Sequence, residues 1–542
     1  MVISSDTTEN VTTPTATTVI PDEDPQGLPN ELNLLTLNCW GLLHISTLRA
    51  PRLDEIGRQL AILAPAPHIV ALQECWTQED YQAIRRHTRQ ILPYGKFYHS
   101  GAFGGGLAIL SRWPIEESTM FKYPLNGRPT AFWRGDWYVG KGVACAKIRY
   151  GPRRKDVIEV FNTHTHAPYE PEPKSTYICH RTAQAWELSK LLRGAAERGH
   201  LVVAMGDFNM LPLSLAHRLI TSHAPVRDVW RVLHPDSALG PSTHPAEKAR
   251  RRPIPTADFN LLENGATSDT VYNTWRWTKN QQNRLRAGQA CDISPDAIDP
   301  RGKRLDYIFT STGVEPDAPP ATPGWIIKSA IVSMTERHPE LHCSLSDHFA
   351  VQATLTRHTP SPLSRPIGPR VETPSAALQT GAYLAPSSPA SSTHSADASR
   401  SPDPDDQLHH GRFPDHESLP MSGYDDVLAM IQSYHAREIR QRYWRGVHFF
   451  VALLIWLACL VAVWFSPENY VAFILMLISS LCLVAGVVDG LLSLLFFSWE
   501  IRALKEFEWE IRNAKAVAAG DLVALTEAET QNSPGRRPKS SQ

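Results

Sequence analysis

The sequence predicts a layered α/β domain followed by a membrane-embedded helical hairpin. From about residue 31 to 358, short apolar runs such as Asn33–Leu37, His68–Leu72, Leu107–Leu110, Val157–Phe161 and Leu201–Met205 alternate with amphipathic helical patterns, as strands layered against helices require. Clusters of Asp, Asn, Glu and His stand at or just after the ends of several such runs. Near the C-terminus two apolar stretches, residues 447–465 and 470–497, are each about long enough to cross hydrocarbon as a helix, which takes roughly 20 residues.

The order along the chain follows from composition. Residues 1–30 are rich in Thr, Pro and acidic residues with no apolar leader, so a disordered tail without a secretory signal is expected. Residues 31–358 form the α/β domain, and 359–420 are dense in Pro, Ser, Thr, His and Asp, which makes a solvated linker. An amphipathic juxtamembrane helix over 421–446 leads into the hairpin, 447–499, and a helix and disordered tail over 500–542 complete the chain. Arg437, Arg440, Arg442 and Arg445 precede the first span, and Arg502, Lys505, Arg512 and Lys515 follow the second, while the turn at Ser466–Asn469 carries no basic residue. The positive-inside rule therefore puts the α/β domain and both ends in the cytosol. Asp489 falls at the cytosolic boundary of the second span, with contact to lipid headgroups or to a partner inside the bilayer as the alternative.

Charge is balanced, 54 basic against 55 acidic residues in 542 with a net of −1, which argues against a nucleic-acid partner. Eight cysteines show no CxxC pair, as expected of reduced thiols.

The chemistry concentrates at strand ends. Gly206-Asp207-Phe208-Asn209 follows the apolar run Leu201–Met205, and residues two apart on an extended chain share a face, so Asp207 and Asn209 are delivered together. Leu72-Gln73-Glu74 and Thr163-His164 follow similar runs, and Ser346-Asp347-His348 opens Phe349-Ala350-Val351. The oxygens of Glu74, Asp207, Asn38 and Asn209 suit Mg²⁺ or Mn²⁺, whereas zinc lacks its Cys/His set. A hydrolytic water needs a base, and His348 is the natural one. Either Asp347, its neighbour, or Asp306, in Leu305-Asp306-Tyr307, would orient it. Gly135-Asp136-Trp137-Tyr138-Val139-Gly140-Lys141-Gly142 has G-x₄-G-K spacing, but Gly142 stands where a nucleotide-binding loop needs Ser or Thr on Mg²⁺.

Asn38, Glu74, His164, Asp207, Asn209, Asp306 and Asp347-His348, in that order, resemble the motif set of the endonuclease/exonuclease/phosphatase superfamily over residues 31 to 357. Leu35–Leu42, Gly104–Pro114, Phe161–Ala167 and the glycine element Gly135–Gly142 further resemble the neutral sphingomyelinases and the fungal inositol-phosphosphingolipid phospholipases C. The resemblance implies a four-layer α/β/β/α sandwich followed by the two-helix transmembrane hairpin. It implies a Mg²⁺-dependent phosphodiesterase (Mn²⁺ serving in its place) that releases ceramide from a membrane sphingolipid. By the same resemblance Glu74 and Asn38 hold the metal, and Asp207 and Asn209 orient water and phosphate. His164 donates to a non-bridging oxygen, and His348 is the base, supported by Asp306 and Asp347. Asp136 and Lys141 become a regulatory switch biased by anionic phospholipid. The endoplasmic reticulum is the expected membrane, ahead of mitochondrial or plasma membrane. An inositol-polyphosphate phosphatase of the same superfamily is the alternative, against which stand Leu305-Asp306-Tyr307 and the lack of an Arg close behind the GDFN motif. For His166, a headgroup contact and a structural role stand equal. Trp133, Trp137, Trp275 and Trp277 are expected to pack, and the stretch Gly265–Trp275 carries no assigned role.

Overall fold

The computed structural model describes residues 28–170, 177–289, 291–315, 317–319, 321–360, 407 and 419–521. The expected tails, up to 27 and from 522, and most of the expected linker lie outside the described residues. The chain builds two six-stranded sheets. The first is ordered β11-β12-β1-β2-β4-β3 and the second β5-β6-β7-β8-β10-β9. In chain order the strands are β1 (Glu31–Asn38), β2 (Ile69–Gln73), β3 (Tyr94–Tyr98), β4 (Leu107–Ser111), β5 (Ile115–Lys122), β6 (Gly142–Arg149), β7 (Val157–His164), β8 (Leu201–Asp207), β9 (Arg227–Asp228), β10 (Asp306–Thr310), β11 (Gly324–Ser333) and β12 (Ala350–His358). One parallel pair lies in each sheet, β1 with β2 and β7 with β8.

Side-chain parity explains the layers. On β1, Leu32 and Leu34 enter the core between the sheets, whereas Leu35 and Leu37 pack outward against α1 (Arg49–Ile62) and α2 (Gln78–Thr88). On β8, Val203 and Met205 face inward, while Val202 and Ala204 meet Leu188 and Leu192 of α4 (Ile178–Glu197) and Ile220 of α5 (Leu215–His223). Α four-layer α/β/β/α sandwich results. The inward parity of β1, β7, β8 and β10 ends on Asn38, His164, Asp207 and Asp306, so the alternation that fills the core also sets these polar groups at one end of the crevice.

Gly206 belongs to the close contact of β7 with β8. A Cβ there would meet the Thr163 carbonyl oxygen at 1.9 Å, so the glycine of the GDFN motif is required by strand packing. The glycine element folds as a single helical turn, α3 (Asp136–Val139), between Gly135 and Gly140, both with left-handed backbone. A Cβ on Gly142 would lie 2.0 Å from the Phe121 carbonyl oxygen. The Ser or Thr of a nucleotide loop cannot be accommodated there.

The C-terminal helices are α6 (Met421–Val463), α7 (Asn469–Leu491) and α8 (Phe497–Ala518), with one π-helical turn, Leu492–Phe496, between the last two. The juxtamembrane segment and the first span are one continuous helix of 43 residues, about 65 Å long at 1.5 Å per residue. Among the described residues, two stretches are long and apolar enough to cross a membrane. Phe450, Leu454, Trp464, Phe465, Phe473 and Leu481 are all exposed along them, which excludes a buried helix pair and points to membrane association. Asp489 faces the first of these helices, paired with Arg445 and with His448 Nδ1, the latter at 2.7 Å. Outside the apolar stretches, Val427, Ile431 and Tyr434 of α6 and Leu504, Phe507 and Ile511 of α8 form a cluster with Leu125, Cys179 and Trp186. The helices are thereby docked on the sandwich. All eight cysteines are unpaired.

Candidate active site

β10 and β12 bring Asp306 and His348 together. Nδ1 of His348 lies 2.8 Å from Oδ2 of Asp306, and the same oxygen accepts from Thr267 Oγ1 at 2.6 Å. Asp306 therefore takes the orienting position that the sequence left open between two carboxylates. Asp347 contacts its neighbour Ser346 Oγ at 3.5 Å instead. Nε2 of His348 points toward Asp207, 3.9 Å from Oδ2. Asp207 also lies 3.6 Å from His164 Nε2, accepts from the Asn209 backbone N–H at 3.0 Å, and accepts from Asn38 Nδ2 at 3.0 Å. Asn38 Nδ2 reaches Glu74 Oε1 as well, at 3.2 Å, while its carbonyl oxygen accepts from the Trp40 N–H. As placed, Asn38 therefore presents its amide nitrogen, and not its oxygen, to the two carboxylates. All eight predicted catalytic and metal-binding residues fall in one continuous region, with Asp347 at its edge.

Electrostatics divide the site in two. Burial first, and then the Lys141 ammonium, lower the His164 pKa to about 3, leaving a neutral imidazole that donates through one N–H. Burial also disfavours charge on His348, but the carboxylates of Asp306 and Asp207 overcome it and hold its pKa well above the ordinary value. Burial and then the Asp347 carboxylate push Glu74 up, although Asn38 bonds its charged form. The His348 shift, and the Asp347 part of the Glu74 shift, mark a site whose own side chains gather negative charge. A divalent cation fits that imbalance, and the donors are hard oxygens suited to Mg²⁺ or Mn²⁺. Asp207, Asp306 and His348 are buried with ligand atoms within 4.8 Å of one another and could themselves hold a metal ion. Asp306 is already bonded to His348 and Thr267, however, so the oxygens of Asp207 and Glu74 are the better offered.

The glycine element backs onto this region. Asp136 and Lys141 are buried with their charged atoms 3.8 Å apart. Lys141 Nζ donates to the Thr165 carbonyl at 3.1 Å, and Asn209 Nδ2 donates to the same oxygen at 3.2 Å. His166 is fully buried, 3.2 Å from Asp136 Oδ1 and stacked on Tyr177, which assigns it the structural role.

Several contributors escaped the sequence reading. Arg52, fully buried, donates to the carbonyls of Trp40 at 2.8 Å and Leu345 at 2.6 Å, joining the loop after Asn38 to the loop before Asp347. The unassigned stretch Gly265–Trp275 supplies Thr267 on Asp306 and Asn273, whose Nδ2 holds the Ser346 carbonyl at 3.0 Å. Trp40, Glu74 and Asn209 have left-handed backbones, with φ of 47°, 52° and 45°, the kind of strain that accumulates at functional sites. Of the four tryptophans expected to pack, Trp277 is buried and Trp275 rests on Trp40, ring centroids 4.7 Å apart. Trp133 and Trp137 join neither core: both are exposed, Trp133 on the short turn Phe132–Arg134 and Trp137 on the single-turn helix that follows it.

Residues 35–348 match the Endonuclease/Exonuclease/phosphatase family. The chain is 37% identical over 496 residues to the inositol phosphosphingolipids phospholipase C of Schizosaccharomyces pombe, covering 91% of this chain and 96% of that protein. It is 32% identical over 506 residues to the Saccharomyces cerevisiae protein of the same name, covering 89% and 90%. Sphingomyelin phosphodiesterase 2 of Homo sapiens is 29% identical over 333 residues, 61% of this chain and 66% of that protein. The two yeast alignments cover more of the chain than the sheets occupy and so extend beyond the sandwich. With two sheets in four layers, the polar strand ends in one crevice and these alignments, the chain belongs to the endonuclease/exonuclease/phosphatase family, among the relatives of the inositol phosphosphingolipids phospholipases C.

Proposed function

We propose that the chain is a membrane-anchored, divalent-metal-dependent phospholipase C that hydrolyses sphingolipids to ceramide and a phosphorylated headgroup. The observation that carries this reading is the His348–Asp306 dyad opening onto Asp207, in a chain alignable along most of its length with an inositol phosphosphingolipids phospholipase C. Asp306 fixes the proton on Nδ1 of His348, so Nε2 is the atom that takes a proton from water. The water oxygen then bonds to phosphorus, the bond from phosphorus to the ceramide oxygen breaks, and that oxygen leaves and takes a proton from solvent water to become a hydroxyl, while His348 returns its proton to solvent. Asp207, steadied by the Asn209 N–H and Asn38, orients the water. His164 donates to a non-bridging oxygen as charge grows there. Glu74 and Asp207 would hold the metal, while Asn38, expected as a ligand, steadies both carboxylates through its Nδ2; when bound, the metal polarises the phosphoryl group and offsets the excess of carboxylates.

The full-length similarity to the yeast proteins favours an inositol-phosphate headgroup over phosphocholine. A phosphatase acting on inositol polyphosphates is not favoured: Arg304, two residues before Asp306 in the chain, is committed to Asp228. The arginines flanking the apolar helices support a cytosolic sandwich, with the endoplasmic reticulum as its membrane. An anionic phospholipid would act as activator by separating Asp136 from Lys141. Ceramide release from vesicle-borne inositol-phosphoceramide by the full-length protein, abolished in His348→Ala, tests the activity. Release of inorganic phosphate without ceramide would replace it with the phosphatase reading.

A further inference from the structure

The segment that carries the glycine element also carries a patch of aromatic side chains that neither core absorbs. Phe132 and Trp133 are 67% and 80% exposed, and Phe103 and Trp137 are 59% and 41% exposed. The rings of Phe103, Phe132 and Trp137 each contact Tyr138, with centroids 5.7, 5.4 and 5.0 Å away. The run Pro129-Thr130-Ala131-Phe132-Trp133 contains no charged residue. Large aromatics gathered around a common ring and left in water need a partner.

The patch is continuous with the membrane helices. Trp137 meets Phe496 edge-on at 6.3 Å, and Phe496 closes the π-helical turn at the sandwich-proximal end of the second apolar stretch. The patch therefore stands at the level where that stretch leaves the bilayer. Trp and Tyr favour this depth, where a ring meets acyl chains and its polar edge stays hydrated.

The patch is also tied to the candidate active site. The backbone N–H groups of Ala102 and Phe103 both donate to the Tyr138 carbonyl, at 2.7 and 3.2 Å, which joins the two aromatic loops into one unit. Asp136, in the same helical turn as Trp137, accepts from Tyr169 at 2.7 Å. Lys141 then reaches the Thr165 carbonyl shared with Asn209. We infer that Phe103, Phe132, Trp133 and Trp137 form an interfacial seat that sinks into the headgroup–acyl boundary of the bilayer holding the anchor and fixes the active-site mouth at the lipid surface. The helices tether the sandwich; the seat sets its depth and orientation. The occupant is the bilayer itself, and the activity arm of the test rests on the proposed function.

The test uses the full chain reconstituted in phosphatidylcholine vesicles whose acyl chains carry bromine just below the headgroups. Subtracting the emission of Trp133→Phe from that of the unaltered protein isolates Trp133. Bromine quenching of that difference signal is the expected result; an unquenched signal overturns the seat. A difference signal that depends on protein concentration in detergent without lipid would also overturn it, by identifying a second copy as the occupant. Phe132→Ser/Trp133→Ser lowers turnover of vesicle-borne inositol-phosphoceramide by about tenfold or more, as expected for losing the burial of two aromatics, and changes turnover of a monomeric short-chain analogue by less than about twofold. Equal losses on both substrates would overturn the seat. Lipid quenching without turnover of either substrate would support the seat and defeat the proposed activity, so the two claims fail separately.

Discussion

Asp306 Oδ2 sits 2.8 Å from His348 Nδ1, across 42 residues of sequence, whereas Asp347, adjacent to His348 in the chain, contacts Ser346 instead. Chain proximity and spatial partnership are thus separated at this site.

Asp306→Asn should lower kcat by about 10²–10⁴-fold, the range for losing general-base function, because an amide can stabilise the wrong imidazole tautomer. Asp347→Asn should cost markedly less. Steady-state turnover of the two variants, with circular dichroism confirming the fold, checks the assignment. Equal losses would return Asp347 to the orienting role.

Asn38 Nδ2 bridges Glu74 and Asp207, so Asn38→Ala should loosen both carboxylates and weaken metal affinity by about 10–100-fold, as loss of a ligand-orienting partner does. Glu74→Gln should weaken it at least as much. Isothermal titration with Mg²⁺ or Mn²⁺ measures this without reference to turnover.

Asp228 forms a buried lock with Arg304, at 2.8 and 2.9 Å, and with His217 at 3.0 Å. Burial opposes its charge, but Arg304 and then His217 outweigh burial and hold its carboxyl well below the usual range. A depressed carboxylate stabilises the fold above its unfolded pKa, near 3.9, and that contribution drains as the pH falls through the lower folded value. Thermal unfolding should therefore show a stability plateau above about pH 5 and a decline below it. Arg304→Met, which leaves Asp228 buried without its cation, should cost about 3–5 kcal/mol at neutral pH and shrink the decline on acidification, because less of the Asp228 contribution is left to lose.

Trp186 Nε1 donates to Glu510 at 2.5 Å, over an apolar cluster shared by α4, α6 and α8. Deleting the chain from residue 419 onward should thus lower the melting temperature of the sandwich as well as release it from membranes. Differential scanning fluorimetry of the truncated and full-length proteins in the same detergent checks this; an unchanged Tm would mean that the docked helices contribute nothing to the fold.

Much of this organisation was legible in the sequence because it follows from period-two alternation. The strand carrying Leu201–Met205 had to deliver Asp207 on the core-facing parity, and an apolar run before Glu74 or His164 carries the same information. The helical hairpin was legible from length and apolarity alone. What stayed hidden depends on contacts between distant segments or on backbone conformation. Nothing local to Thr267 tells that it bonds Asp306, and nothing near Arg52 tells that it ties two active-site loops together. The left-handed backbone of Glu74 leaves no mark in residue type, whereas Asn209 is a residue type that tolerates that conformation. Trp133 reads as a core residue by composition, yet it sits on the short turn Phe132–Arg134, outside both cores, and is exposed.

The most direct test of the central claim is hydrolysis of inositol-phosphoceramide by the full-length protein in heavy-oxygen water, with Mg²⁺ present and His348→Ala as control. One heavy oxygen is expected in the released phosphoinositol, none in the ceramide hydroxyl, and no product from the variant. Label in ceramide, or full turnover by His348→Ala, would contradict that claim.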